Sequence, residues 1–329
     1  VSIDWQPAAT VESIVRRAAY LSAARNFFSA RDVLEVETPL LCAFGVTDPN
    51  IRSVPVAIPT SENQRYWLRS SPEYHMKRLL AAGLRDIYQI GKAFRAGESG
   101  PRHQPEFTMI EWYRHDFDLA AMIDETCALL IELSQQGIQP VNNYARISYT
   151  DAFKQACNLN PLTSNTNELR VASELHLSEL IDSRLIASLG DDRQAWLDLL
   201  ASHVVYPSLA RDKLIVVDAY PADQAMLARI DPKDPTTALR FEVFLNGIEL
   251  ANGFHELTSA HEQKLRFTAD RARRRAMGLT EMEADTHLLD ALEAGLPDCS
   301  GVAIGLDRLL MTTNCQAVLA DTLSFLPGH

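Results

Sequence analysis

Asn246-Gly247 stands between two apolar runs of alternating character, RFEVFL and IELANGF. An Asn-Gly pair suits the two left-handed positions of a type I′ turn, whose twist matches that of its flanking strands. The stretch is therefore expected to fold as a two-residue antiparallel hairpin. Such a turn sets Leu245 opposite Ile248 and Phe244 opposite Glu249. Side chains alternate along a strand, so Glu242 shares a face with Phe244, and Glu242 and Glu249 become diagonal neighbours on it. Two carboxylates held close on rigid strands repel unless a cation lies between them. Mg²⁺, which takes one or two carboxylates plus phosphate oxygens, suits the pair; a solvent-facing acidic pair is the plainer alternative. Glu256 leaves the strand beyond Gly253.

A second unit, Ile90 to Tyr113, reads as strand, loop, strand. Ala96 to Pro105 is polar and punctuated by glycine and proline, and Phe107 to Tyr113 is rich in β-branched and aromatic residues. Arg95 stands at the loop entry, Arg102 and His103 at its far side, and Phe107 on the returning strand. A guanidinium fork for a phosphate, a second cation and a flat ring for a base could face one nucleotide. A surface hairpin with ordinary charges is the competing reading.

Around these units the spacing predicts a helix over Val11 to Ala30, with Ile14, Ala18, Leu21 and Phe28 on one face and Arg16, Arg17 and Arg25 outside. Val33 to Leu41 alternates like a strand stopped by Pro39. Ser70-Ser71-Pro72-Glu73 is a helix start, with a serine cap, proline at the first position and a carboxylate in the first turn. Leu119 to Gln135 is an amphipathic helix, Ser148 to Val204 a set of helical fragments resembling an insertion, and Leu214 to Tyr220 a buried strand. Lys264 to Arg275 is a helix whose arginine run reads as a solvated face. Gly301 and Gly305 flank a short strand that leads into a helix at Leu306. Gly305 would let a ligand ring approach the backbone, and Arg308, one turn on, would aim its fork at a phosphate.

With 31 basic against 43 acidic residues the net charge is −12, which argues against a chain built mainly to grip a nucleic-acid backbone. The five cysteines are dispersed with no CxxC pair, as expected of reduced thiols in a cytoplasmic protein. No secretory leader and no membrane span are expected.

The order Phe94-Arg95, then Arg102-His103-Gln104-Pro105-Glu106-Phe107-Thr108-Met109, then Tyr113 resembles motif 2 of the class II aminoacyl-tRNA synthetases, lysyl branch. Gly295 to Met311, GLPDCSGVAIGLDRLLM, is similar to motif 3 with its GxDR core, and Val11 to Leu41 to the helix–strand–proline unit of motif 1. The resemblance implies an α+β fold with an antiparallel sheet flanked by helices. It implies one catalytic domain over residues 1–329, with a helical insertion at about 148–204, no anticodon-binding domain, and a homodimer through motif 1. It places ATP at Arg95, Ala96, Gly97, Glu98, His103, Gln104, Phe107, Glu249, Leu250, Gly305 and Arg308, with Arg95 and Arg308 catalytic and Glu242 and Glu249 carrying Mg²⁺. It places a lysine-type substrate at Ser71, Pro72, Glu73, Tyr113, Asn252, Glu256 and Ala303. Two carboxylates and a phenol, from Glu73, Glu256 and Tyr113, suit a diamino acid better than an apolar side chain.

The chain departs from the lysyl pattern at Ala96-Gly97, where Asn-Glu is usual, at Gln104 for Asn, and at Ala303 for glycine. The added methyl should change which lysine isomer fits. Because motif 1 arrives so early, the whole resembles truncated lysyl-synthetase paralogues. These adenylate β-lysine and pass it to a lysine of elongation factor P, with tRNA not expected as acceptor. A truncated lysyl-tRNA synthetase that charges tRNA and an asparagine-synthetase-like ammonia ligase are the alternatives.

Overall fold

The computed structural model describes residues 5–58 and 65–326. The chain divides into two compact units, Val1–Pro140 with His255–His329, and Val141–Phe254. The first unit begins with helix α1 (Val11–Ser29) and strand β1 (Leu34–Glu35). A small antiparallel sheet follows, from β2 (Leu41–Cys42), β3 (Val54–Val56) and β4 (Tyr66–Leu68). Then come helix α2 (Glu73–Ala81), the long strands β5 (Ile87–Phe94) and β6 (Glu106–His115), and helix α3 (Leu119–Ser134).

In the second unit β7 (Tyr144–Ser148) leads into helices α4 (Tyr149–Cys157), α5 (Thr166–His176), α6 (Ser183–Leu189), α7 (Arg193–Leu200) and the single turn α8 (Tyr206–Ser208). Strands β8 (Leu214–Pro221), β9 (Thr237–Leu245) and β10 (Ile248–His255) complete it in the order β10-β9-β8-β7. The β8–β9–β10 ladder is antiparallel, and β7 joins β8 in parallel. The helices of 148–204 bury Phe153, Leu169, Trp196 and Leu200 against Ile215, Val217 and Phe244 of β8 and β9.

The first unit resumes with α9 (Ala260–Ala276), α10 (Thr286–Gly295), β11 (Cys299–Gly305) and α11 (Leu306–Thr313). Its strand order is β1-β5-β6-β11, antiparallel except for the short β1–β5 pair. Strand alternation gives β6 two different faces. Ile110 and Trp112 point toward α1 and α3. Phe28 of α1 stacks on Tyr88 at 4.2 Å and meets Trp112 edge-on at 5.3 Å, and the Trp112 indole donates to Glu125 Oε1 of α3 at 3.0 Å. On the opposite face Tyr113 packs with Met76 and Leu80 of α2, Phe267 of α9 and Leu288 and Leu292 of α10.

Four expectations need correcting. The strand expected over Val33–Leu41 is reduced to Leu34–Glu35 and Leu41–Cys42, because the chain around Pro39 runs extended without ladder partners. The buried face of α1 is Tyr20, Ala24, Phe27 and Phe28, with Ile14 and Leu21 only half-buried and Ala18 exposed. Arg17 is not outside: its guanidinium reaches Asp307 Oδ1 and Thr108 Oγ1, each at 2.5 Å. In the arginine run of α9, Arg274 is buried and donates to the carbonyls of Thr280 and Asp48, each at 2.8 Å, while Arg271 pairs with Glu281 at 2.6 Å. Among the described residues, no helix is long and apolar enough to cross a membrane.

The Asn246-Gly247 turn has both residues at positive φ, 56° and 74°, and pairs Leu245 with Ile248 and Phe244 with Glu249. A Cβ on Gly247 would also come within 2.8 Å of the Tyr206 carbonyl oxygen. Gly247→Ala should therefore cost about 1–3 kcal/mol of stability. A denaturant midpoint equal to wild type would refute the argument.

Candidate active site

The Tyr113 face of β6 carries a cluster of buried acids. Because Glu111 lies two residues before Tyr113, both side chains project to this face. Across β11, Ala303 stands opposite Glu111 and Gly301 opposite Tyr113. The Tyr113 hydroxyl donates to Glu111 Oε1 at 2.7 Å, and Ser71 Oγ donates to Glu111 Oε2 at 2.8 Å. Ser71 is the true start signal of α2. Its hydroxyl accepts from the Glu73 N–H at 3.0 Å, while buried Pro72 occupies the cap position expected for a serine. Glu73 and Glu256 are both held by Lys77, whose Nζ lies 2.7 Å from Glu73 Oε1 and 2.6 Å from Glu256 Oε2. Gly301 is required for this packing, since a Cβ there would run into the Tyr113 ring and lie 2.5 Å from Glu256 Oε1.

Three carboxyl groups meet here, and the Lys77 ammonium bridges two of them. Burial, then the nearby Glu73 carboxylate, pushes Glu111 up to about 8, and the hydrogen bonds from Tyr113 and Ser71 offset part of that. Burial likewise raises Tyr113, aided by the Glu111 charge, so the phenol stays a donor. Burial alone would lower Lys77, but the Glu256 and Glu73 carboxylates outweigh it and hold the ammonium charged.

Along the same unit the loop after β5 brings the sequence-picked cations to two places. Arg95 lies over the Phe107 ring at 5.1 Å and 3.7 Å from Glu98 Oε1. Arg308 Nη2 contacts His103 Nε2 at 2.6 Å; a guanidinium only donates, so that nitrogen accepts. The Ala96 N–H is bonded to the Arg52 carbonyl at 2.7 Å, Gly97 sits exposed at φ 80°, and Gln104 is half-buried. At Gly305 a Cβ would meet only the Arg308 side chain, at 3.9 Å, so the protein itself does not demand glycine there. Asp307 anchors the turn: its Oδ2 accepts from the Thr108 N–H at 2.6 Å and its Oδ1 takes Arg17.

The remaining candidates, Glu242, Glu249, Leu250 and Asn252, belong to the second unit. The hairpin register holds at the turn but shifts between Glu249 and Ala251, so that Leu250 is a bulge with a buried side chain. The bulge sets Asn252 rather than Ala251 opposite Glu242. Glu242 and Glu249 remain on one face of the hairpin, and the Glu249 charge is among the causes that raise Glu242, after burial. Glu242 is already engaged: Arg240 Nη2 lies 2.5 Å from Oε1 and the Tyr220 hydroxyl 2.6 Å from Oε2. Arg240 Nε also donates to Asn252 Oδ1 at 3.3 Å, which turns the Asn252 amide nitrogen away from it. Among the described residues no three His, Cys, Asp or Glu converge as a metal cage. The two hard carboxylates fit a dication that draws its other ligands from phosphate and water.

Sequence reasoning missed Glu111, Lys77, Arg240 and Asp307. Strand alternation from Tyr113 could have found Glu111, and the i,i+4 spacing from Glu73 could have found Lys77. The i,i+2 spacing from Glu242 could have found Arg240, and the GxDR core contains Asp307, but the partner of Asp307, Arg17, lies far along the chain.

The family model for tRNA synthetases class II (D, K and N) matches residues 2–326. The chain belongs to this family. Within it, the chain is 43% identical over 325 residues to the elongation factor P–(R)-β-lysine ligase of Klebsiella pneumoniae, covering 98% of this chain and 97% of that protein. It is 44% identical over 332 residues to the ligase of the same name from Yersinia enterocolitica (99% and 98%), and 46% over 312 residues to that from Vibrio cholerae (94% and 93%). For a class II synthetase fold, the α+β architecture with mostly antiparallel strands is the expected one. Ligases of this type use ATP.

The shift at Glu111 has a thermodynamic consequence. Its carboxyl is raised from 4.5 to about 8, so between those values the folded chain keeps a proton that the unfolded chain has released. Stability contributed by this group therefore falls as pH rises through that window. Glu111→Gln removes the titration. Its melting temperature relative to wild type should be higher at pH 9 than at pH 6 by about 3 °C or more. A difference independent of pH would show that Glu111 does not titrate there.

Proposed function

We propose that this chain activates (R)-β-lysine with ATP and transfers it to a lysine side chain of elongation factor P. The observation that carries the reading is the group of Glu73, Glu111 and Glu256 beside the Tyr113 phenol, with Lys77 bridging two of the three acids. Such a pocket favours a ligand with two ammonium groups. It disfavours the aspartate of an asparagine-synthetase-like ligase, which would need cations there. The β-isomer and the acceptor are those of the related ligases. The Ala303 methyl, opposite Glu111, is the element of the wall that would select the isomer.

In the first step the substrate carboxylate attacks the ATP α-phosphorus and pyrophosphate leaves. The substrate is its own nucleophile, so the enzyme positions two anions and offsets the charge that grows at phosphorus. Arg95 would take the α-phosphate and the substrate carboxylate, Phe107 the adenine face, His103 and Gln104 the nucleotide edge, and Arg308 the γ-phosphate. Ala96, Gly97, Glu98, Leu250 and Gly305 would line the nucleotide through backbone groups. Mg²⁺ would be held by Glu242 and Glu249 and would screen the leaving pyrophosphate. Asn252, with its oxygen committed to Arg240, would offer an N–H donor to the substrate. In the second step an acceptor amine attacks the adenylate carbonyl, AMP leaves with the bonding pair, and an amide forms. The amine must be unprotonated to attack, and the departing phosphate is a base at hand for its proton.

The single catalytic domain of this reading spans both units, with the 148–204 helices as its insertion. A homodimer through the motif 1 region is supported by exposed apolar side chains there: Val11, Val15, Leu34 and Leu40. The five cysteines are all free thiols, which suits the cytoplasm. The net charge of −12 favours a protein acceptor over tRNA.

Arg95→Ala should abolish most ATP–pyrophosphate exchange with an unchanged fold, a loss of roughly 3 kcal/mol of transition-state stabilisation; near-normal exchange would remove Arg95 from the mechanism. The acceptor is decided by giving the enzyme ATP and labelled (R)-β-lysine with purified elongation factor P in one tube and total tRNA in another. Label should enter the protein. Label entering only tRNA would favour a truncated synthetase.

A further inference from the structure

We infer that Lys77 is a positioning residue, the built-in counter-ion of the acidic pocket. It bridges Glu73 and Glu256 and holds their carboxylates aimed at one spot. The inference rests on the reading of this pocket as a diamino-acid site.

Lys77 lies one helical turn after Glu73 on the inner side of α2, and its side chain is 3% exposed. Its ammonium touches carboxylate oxygens from two distant parts of the chain, Glu73 of α2 and Glu256 just beyond β10. One ammonium bonded to both holds those oxygens within two hydrogen-bond lengths of each other. Left alone at that spacing, in a buried setting, the two like charges would repel and move apart. Glu111 and Tyr113 come from β6, and Glu111 is itself pushed up by burial and by Glu73 and Glu256. The other cation acting on Glu111, Arg69, is committed to the Lys92 and Thr38 carbonyls.

One ammonium against the two carboxylates of Glu73 and Glu256 leaves negative charge that a ligand ammonium meets. With Glu111 raised to about 8, a second ligand ammonium is matched as Glu111 gives up its proton. Lys77 touches the carboxylates rather than the reacting atoms, so it acts on recognition and not on the chemistry. Losing its charge leaves the Glu73 and Glu256 carboxylates to repel each other and lose the placement at which a ligand ammonium meets them.

The test compares wild type with Lys77→Met and Lys77→Arg by ATP–pyrophosphate exchange, with (R)-β-lysine and with L-lysine. ATP binding is measured separately. Lys77→Met should raise KM for the amino acid about tenfold or more while kcat stays within about threefold of wild type. The ATP affinity should stay at the wild-type value. Lys77→Arg keeps the charge and should stay within about threefold of wild type. If Lys77→Met does not fold by circular dichroism, Lys77→Gln is read in its place, since it keeps length and a donor but no charge. An unchanged KM, or a loss carried by kcat with KM unchanged, overturns the inference. Wild type that activates neither amino acid overturns the proposed function instead.

Discussion

Strand β6 is held in antiparallel register on both sides, by β5 and by β11, and the first unit's candidate site follows from that constraint. The register sets Glu111 across from both Gln89 and Ala303, and Tyr113 across from both Ile87 and Gly301. A slip of one residue on either side would turn Glu111 and Tyr113 toward α1 and α3 and bring Trp112 into the acidic pocket. The pins against such a slip are large. Trp112 is wholly buried against Phe28 and tied to Glu125, and removing a side chain of that size costs about 3–5 kcal/mol. The same strand ties down the start of α11, because the Thr108 N–H is bonded to Asp307.

A common electrostatic pattern runs through both units. Lys77 answers Glu73 and Glu256, Arg240 answers Glu242, and Arg17 answers Asp307. In each case a mostly buried cation lies against an acid of the site or its anchor. Buried pairs of this kind contribute little net stability, since desolvation consumes most of the attraction, yet removing one partner strands the other at a cost of about 3–5 kcal/mol. They therefore specify geometry more than they stabilise it. The unbalanced case is the pocket around Glu111, where acids outnumber cations. There the folded chain gives up stability at neutral and higher pH to hold a site ready for positive charge.

The sequence by itself determined the elements whose signals are local. Asn246-Gly247 dictated its hairpin, because few other residue pairs accept two successive positive φ values so readily. The order of residues from Phe94 to Tyr113 and from Gly295 to Met311 pointed to the family. It also selected Arg95, Phe107, His103 and Arg308, which the structure groups as Arg95 with Phe107 and Arg308 with His103. Tertiary structure alone decided what depends on partners far along the chain. The inward face of α1 kept Phe28 but moved to Tyr20, Ala24 and Phe27 in place of Ile14, Ala18 and Leu21, because a helix's apolar stripe is chosen by what packs on it. Arg17 and Arg274, which read as solvated charges, are drawn in by Asp307 and by backbone carbonyls. The bulge at Leu250 exchanged Ala251 for Asn252 opposite Glu242, and Lys77 found Glu256 far from it in sequence. Local sequence fixes backbone preference and periodicity. The pairing of buried charges is fixed only by the fold, because the energy that selects a partner is set by burial and distance, and neither is written in any short stretch of residues.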